Sequence, residues 1–155
     1  MSNLDVRIVK LEPMRMASAY GFGSSPESAA NKKMHDFLKQ KKMLAGWGKE
    51  YRQFGFDNPS PSAGSPNYGY EIWVEVGSDV QPEGDIRIVD FCGGLYAVTQ
   101  FENLENIGRV WKELVRWREG SKYKAACNQC LENLHNPRET DPTKLVFDLY
   151  LSISE

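Results

Sequence analysis

The sequence DVRIV at residues 5–9 returns as DIRIV at residues 85–89, 80 residues later in a chain of 155. An offset of about half the chain length is typical of one structural unit built twice. The repeat therefore predicts two similar copies, residues 4–77 and 84–155, within one domain that covers residues 1–155. Two copies that pair leave a seam along a pseudo-two-fold axis, and such a seam is a natural position for a ligand cleft.

Each copy has the sequence pattern of an interrupted first strand, a helix and two further strands. In the first copy the strand-like segments are residues 6–11, 14–20, 50–56 and 68–76, and the predicted helix is 27–44. In the second copy they are residues 86–91, 95–101, 127–135 and 145–152, with a helix from about 104 to 118. Because the strands come in hairpins, we expect an α+β domain: duplicated βαββ units forming a mostly antiparallel sheet with two helices on one face.

Composition and charge narrow the class of protein. Hydrophobic residues make up 41% of the chain, enough for a real core. The net charge of −2 gives no basic footprint for direct nucleic-acid binding. The sequence has no apolar run long enough to span a membrane and no signal-peptide core at its start. We therefore expect a cytoplasmic monomer that needs no cofactor, with its three cysteines as free thiols.

The closing strands of the two copies each carry an acid two residues before a large aromatic residue. Side chains alternate between the faces of a strand, so Glu71 with Trp73, and Asp148 with Tyr150, lie on the face away from the helices. A carboxylate beside an aromatic surface suits a lipophilic cation. A carboxyl group partly desolvated by aromatics can also act as a general acid or base. The alternative is an ordinary solvent face, on which polar and aromatic residues alternate.

Three motifs resemble a known family: FGFDNPSP at residues 54–61, YGYEIWV at 68–74 and FDLYL at 147–151. They are similar to the GyrI-like domain, the effector-binding domain of AraC- and MerR-type multidrug-responsive regulators, over essentially the whole chain. The resemblance implies a duplicated βαββ fold with a ligand cleft on the pseudo-axis. It also implies a buried glutamate among aromatics that binds lipophilic cationic drugs, and Glu71 with Trp73 matches that pattern. No segment before residue 6 or after residue 155 has room for a helix-turn-helix module, so we expect a standalone member.

The leading functional prediction is a cytosolic binder that senses or sequesters lipophilic, cationic or aromatic small molecules. The candidate ligand-binding residues are Glu71, Trp73, Trp111, Asp148, Tyr150, Tyr20 and Tyr96. Among them Trp111 is most simply a core residue of the second helix. The resemblance leaves two alternatives open: a hydrolase of cyclopropane-bearing electrophilic toxins with Glu71 as the catalytic residue, and an inhibitor of DNA gyrase that acts through a protein partner.

The cysteines do not indicate a metal site. Cys127 and Cys130 form a lone C-x-x-C pair, and zinc would need two further ligands. Cys92 and His135 could be proposed, but their spacing matches no standard site. We therefore expect structural thiols and no bound metal.

Overall fold

The structure, a computed structural model, describes residues 4–155. Its elements in chain order are β1 Arg7–Leu11, β2 Met14–Gly23, α1 Pro26–Gln40, β3 Gln53–Asp57, β4 Tyr68–Glu75, β5 Arg87–Phe91, β6 Gly94–Glu102, α2 Ile107–Glu119, β7 Lys124–Ala125, β8 Leu131–Leu134 and β9 Val146–Ser154. The predicted α+β class is confirmed, and every strand pair described below is antiparallel. No helix in this part of the chain is long and apolar enough to cross a membrane.

One compact unit, here called the central unit, comprises Met14–Phe91. Its strands lie in the order β3-β4-β2-β5. Helix α1 covers one face of β2 and β4 because its apolar residues recur at helical spacing. The buried residues that meet there include Ala30, Met34, Phe37 and Leu38 of the helix and Ala17, Ala19, Ile72 and Val74 of the strands. Full burial of each large aliphatic side chain stabilises the fold by about 1.5–3 kcal/mol.

Helix α1 ends four residues earlier than the pattern predicted. The predicted helix ran to residue 44, whereas α1 stops at Gln40 because Lys42 adopts a left-handed φ of 60°. This turn directs the amide of Met43 back to the carbonyl of Leu38, at 2.8 Å. The side chain of Met43 thereby joins the core, and the unpaired carbonyls of the last turn find partners.

The other compact unit, here called the terminal unit, comprises Cys92–Glu155 together with the described residues up to Pro13. Its strands lie in the order β1-β6-β9-β8, and β7 pairs with the far end of β9. Helix α2 begins at Ile107, after a single 3-10 turn at Leu104–Asn106, and buries Val110 and Leu114. These side chains pack against apolar residues of β6 and β9.

The two repeated sequences lie in strands that the copies exchange. β1 opens the first copy but pairs with β6 of the second, and β5 opens the second copy but pairs with β2 of the first. The order β3-β4-β2-β5 therefore corresponds, strand for strand, to β8-β9-β6-β1. Sequence order alone did not indicate this exchange. The predicted cleft along the seam of the copies stays a prediction.

Gly93 occupies the turn between β5 and β6 with a φ of +79°, and a Cβ there would collide with the backbone of Leu11. Gly108 in α2 has open space around its Cα. We expect Gly93→Ala to lower the free energy of unfolding by about 2–4 kcal/mol, through left-handed strain and backbone collision. Gly108→Ala should raise it by up to about 1 kcal/mol, as alanine favours helix. Urea denaturation measures both, and a Gly93→Ala protein as stable as the parent would contradict the prediction.

Candidate functional site

Glu71 lies in the middle of β4 and shares a sheet face with side chains of the neighbouring strands. Tyr20 of β2 lies opposite Glu71. Ser18 lies opposite Trp73 on one side and Arg87 on the other. Directly opposed residues point to the same face, so these side chains share the face turned away from α1. Around Glu71 this face is buried, because the Glu71 side chain is only 6% exposed.

The carboxylate of Glu71 is surrounded by hydrogen-bond donors. Its Oε1 accepts from Ser18 Oγ at 2.8 Å and from Trp73 Nε1 at 3.0 Å. The same oxygen accepts from Arg87 Nη2 at 3.1 Å, and Oε2 accepts from Asn58 Nδ2 at 3.0 Å. A buried carboxylate is tolerated only when such donors replace its lost water. The site therefore holds one negative charge in a fixed orientation.

Asn58 reaches Glu71 because the loop after β3 lies directly on Gly69. The amide of Asn58 donates to the Gly69 carbonyl at 2.8 Å, and the Gly69 amide donates to the Pro59 carbonyl at 3.1 Å. A Cβ on residue 69 would overlap the Asn58 carbonyl and the Tyr20 hydroxyl. The glycine of the YGYE motif is thus required for this close approach.

Aromatic rings surround the acid on the same face. The Trp73 ring meets Phe56 edge to face with centroids 4.8 Å apart, and it lies 5.7 Å from Phe91. All three residues are buried, as is Phe54 beside them on β3. The central unit therefore surrounds the buried carboxylate of Glu71 with aromatic rings, an arrangement that suits an apolar cation.

Asp148 occupies the corresponding position on β9 of the terminal unit. Its Oδ2 lies 2.8 Å from Arg7 Nη2 and 3.0 Å from His135 Nε2. Arg7 and Arg87 hold the same position in the repeated pentapeptides, so each unit pairs its buried acid with an arginine from an exchanged strand. In strand position His135 is likewise the counterpart of Asn58.

The two acids differ in how completely they are satisfied. Oδ1 of Asp148 is buried and has no hydrogen-bond partner among residues 4–155. Val98 takes the position that Ser18 holds in the central unit, and Tyr150 takes that of Trp73. Valine has no polar donor and tyrosine has no ring N–H, so the two buried donors of the central site are missing. The set of donors around each acid is here called its cage. The cage of Glu71 satisfies both carboxylate oxygens, whereas the cage of Asp148 leaves Oδ1 without a donor.

The predicted aromatic residues fall in different places. Tyr96 and Tyr150 stack edge to face at 5.7 Å on the Asp148 face, and the Tyr96 hydroxyl donates to the Gln129 carbonyl at 2.7 Å. Burial, aided by the thiols of Cys130 and Cys92, raises the pKa of Tyr96 well above its usual value, so its hydroxyl stays a donor.

Trp111 is not brought to either acid. It packs in the apolar cluster between α2 and the terminal sheet, and its Nε1 donates to Glu132 Oε2 at 3.1 Å. Tyr20 lies beside Glu71 and is half-buried. Of the seven predicted residues, the central unit thus brings together Glu71, Trp73 and Tyr20, and the terminal unit brings together Asp148, Tyr150 and Tyr96.

The three cysteines are unpaired thiols, and Cys127 and Cys130 lie in the loop before β8. Within residues 4–155 no three histidine, cysteine or acidic side chains converge as metal ligands would.

Sequence reasoning missed the polar partners of the acids: Ser18, Asn58 and Arg87 in the central unit, and Arg7 and His135 in the terminal unit. A signal for the arginines was present, because arginine occupies the middle of both repeated pentapeptides. A polar residue at a fixed position of an otherwise apolar strand indicates a specific partner.

One family model matches almost the whole chain. The family model described as Cass2, integron-associated effector binding protein, matches residues 7–153. The sequence matches no curated protein.

Several solved structures are similar in fold. The EcmrR C-terminal domain superposes with a TM-score of 0.72 at 12% identity, covering 99% of each chain. The chain spans only 57% of EcmrR as it appears in a complex with DNA. A hydrolase from Listeria innocua gives 0.69 at 13% identity, covering 99% of this chain and 94% of that one. SAV2435 bound to tetraphenylphosphonium gives 0.59 at 11%, covering 97% and 94%. At these identities the likeness shows the fold alone.

Two buried serines provide a matched test of the Glu71 cage. Ser18 donates to Glu71, whereas Ser152 Oγ is buried without a hydrogen-bond partner in the described part of the chain. Ser18→Ala should lower the free energy of unfolding by about 1.5–3 kcal/mol, because a bond to a charged group is lost. Ser152→Ala should leave it unchanged or raise it by up to about 1 kcal/mol, because a buried hydroxyl without a partner carries a desolvation cost that alanine removes. Equal losses in urea denaturation would contradict the assigned cage.

Proposed function

Because the chain belongs to the family of integron-associated effector-binding proteins, we propose that it binds a lipophilic cation with Glu71 as the counter-charge. The prediction of a GyrI-like small-molecule-binding domain is confirmed by this membership and by the shared fold. The proposal adds the chemical class of the ligand and the residue that selects it.

The observation that carries the proposal is the buried carboxylate of Glu71 within an aromatic wall. Two charges a few ångströms apart attract far more strongly in a partly desolvated site than in water. Ring faces at Trp73, Phe56 and Phe91 add apolar area and cation–π attraction. A cation that carries apolar groups gains from both the Coulomb attraction and the contact with the rings. A hydrated inorganic cation gains mainly from the Coulomb attraction.

The structure of SAV2435, which has a similar fold, supports this ligand class by analogy. SAV2435 is described as bound to tetraphenylphosphonium, a cation whose charge is shielded by four phenyl rings. Such a cation donates no conventional hydrogen bond, so only Coulomb attraction and ring packing can recognise it. Those are the two interactions that the surroundings of Glu71 provide.

A hydrolytic function has weaker support from the same residues. A general base needs a free lone pair directed at its substrate. Oε1 of Glu71 already accepts from three donors, so only Oε2, which accepts from Asn58, has one to offer. The similarity to the Listeria hydrolase is a similarity of fold at 13% identity. A contact with gyrase has no specific observation in its favour, and a cytoplasmic location stays a prediction.

Glu71→Gln tests the proposal directly, with Glu75→Gln as its matched control. Glu75 lies on the same strand and face but is partly exposed and paired with Arg52 at 3.1 Å. Glu71→Gln should weaken binding of tetraphenylphosphonium by about tenfold or more, because the buried charge is lost while the shape is kept. Glu75→Gln should stay within about twofold of the parent, because partly exposed charges are screened.

Isothermal calorimetry gives the affinities, and the rise in melting temperature with ligand checks them independently. Thermal melts without ligand show whether each variant is folded. Parent-like affinity in a folded Glu71→Gln protein would contradict the assignment of the acid.

A further inference from the structure

Resting on the proposed function, the geometry points to Arg87 as an internal cation that occupies the place of the ligand's charge. We propose that a ligand cation must displace the Arg87 guanidinium from Glu71. Arg87 thereby determines that the site accepts cations and rejects neutral molecules of the same shape.

The first support is the number of donors on one oxygen. A carboxylate oxygen offers two lone pairs, yet Oε1 of Glu71 receives three donors while Oε2 receives one from Asn58. Ser18 and Trp73 donate from buried side chains. Arg87 donates at 3.1 Å from a side chain that is mostly exposed. The Arg87 hydrogen bond is therefore the contact that Glu71 can lose while both lone pairs of Oε1 stay satisfied.

The second support is the difference in exposure across the ion pair. The Arg87 side chain is 64% exposed, whereas the Glu71 side chain is 6% exposed. Arg87 thus covers the acid from the solvent side, and the ligand would approach along that path. Moving Arg87 away costs less than moving a fully buried cation, because its guanidinium is already largely in contact with water. Only the side chain has to move, because the backbone of Arg87 stays paired with Ser18 in the β5–β2 ladder.

The third support is charge balance. If a neutral molecule displaced Arg87, the buried carboxylate of Glu71 would lose its cation and gain none, which is strongly unfavourable. If a cation displaced it, the balance would be restored and the aromatic wall would be covered as well. The requirement to replace Arg87 therefore turns a general apolar surface into a site selective for cations.

The terminal unit supplies a built-in control. Arg7 has the same position in the repeat as Arg87, is 58% exposed and pairs with the buried Asp148 at 2.8 Å. Arg7→Gln therefore makes the same change in charge, length and exposure at the acid of the other unit. Any effect of removing one surface arginine in general appears in both variants, and an effect on the Glu71 site appears only in Arg87→Gln.

The test compares the parent, Arg87→Gln and Arg7→Gln by calorimetric titration with tetraphenylphosphonium and with neutral triphenylphosphine oxide. Arg87→Gln should bind the cation about three- to tenfold more tightly than the parent, since the competitor is gone and the acid is uncompensated. Its affinity for the neutral molecule should rise by less than its affinity for the cation. Arg7→Gln should stay within about twofold of the parent for both.

Three results would overturn the inference. Equal or weaker cation binding by folded Arg87→Gln, with binding by the parent intact, contradicts the role of Arg87 but leaves the proposed function standing. Equal gains in both arginine variants show a general charge effect and also contradict it. Absence of cation binding in all three proteins contradicts the proposed function as well. If Arg87→Gln does not fold, Arg87→Met, which keeps the apolar stem, takes its place in the same titrations.

Discussion

The ion pair between a buried acid and an arginine on an exchanged strand is the interaction around which both units are arranged. A carboxylate on the inner part of a sheet face must be compensated, and a strand from its own copy does not provide the cation. In the central unit Arg87 reaches Glu71 at 3.1 Å, and in the terminal unit Arg7 reaches Asp148 at 2.8 Å. Each pair joins β4 or β9 to the strand that carries the repeated pentapeptide. The exchanged strand therefore supplies the cation that compensates the buried acid in each unit.

The two copies of the site have diverged in how completely their acids are hydrogen-bonded. The central acid has two buried donors, Ser18 and Trp73, that hold it as an oriented anion even without its arginine. The terminal acid has lost both, because Val98 replaces the serine and Tyr150 replaces the tryptophan. A buried oxygen without a donor is costly, which makes the terminal position poorly suited to release its cation. This asymmetry is why we place the proposed ligand at the central acid.

Much of the fold could be predicted from local patterns, and the contacts of the site could not. Helical spacing of Ala30, Met34 and Leu38 gave the face of α1 that packs on the sheet, and strand alternation placed Glu71 with Trp73 on one face. Such patterns depend on neighbours in the sequence.

The donors to Glu71 come instead from other strands and a loop. Ser18 is 53 residues away, Asn58 is 13 and Arg87 is 16. Their positions depend on strand order and register, which the sequence does not reveal locally. The sequence did not decide whether the Glu71 face is buried, for the same reason. Polar and aromatic residues can alternate in the same way on a solvent-exposed sheet face and on a buried one.

The most direct measurement of the central claim is a crystal structure of the protein grown with tetraphenylphosphonium. The account predicts the phosphonium beside the Glu71 carboxylate, with Ser18 and Trp73 still donating to it and the Arg87 side chain turned away into solvent. A bound cation elsewhere, with the Arg87 to Glu71 distance unchanged at 3.1 Å, would contradict it.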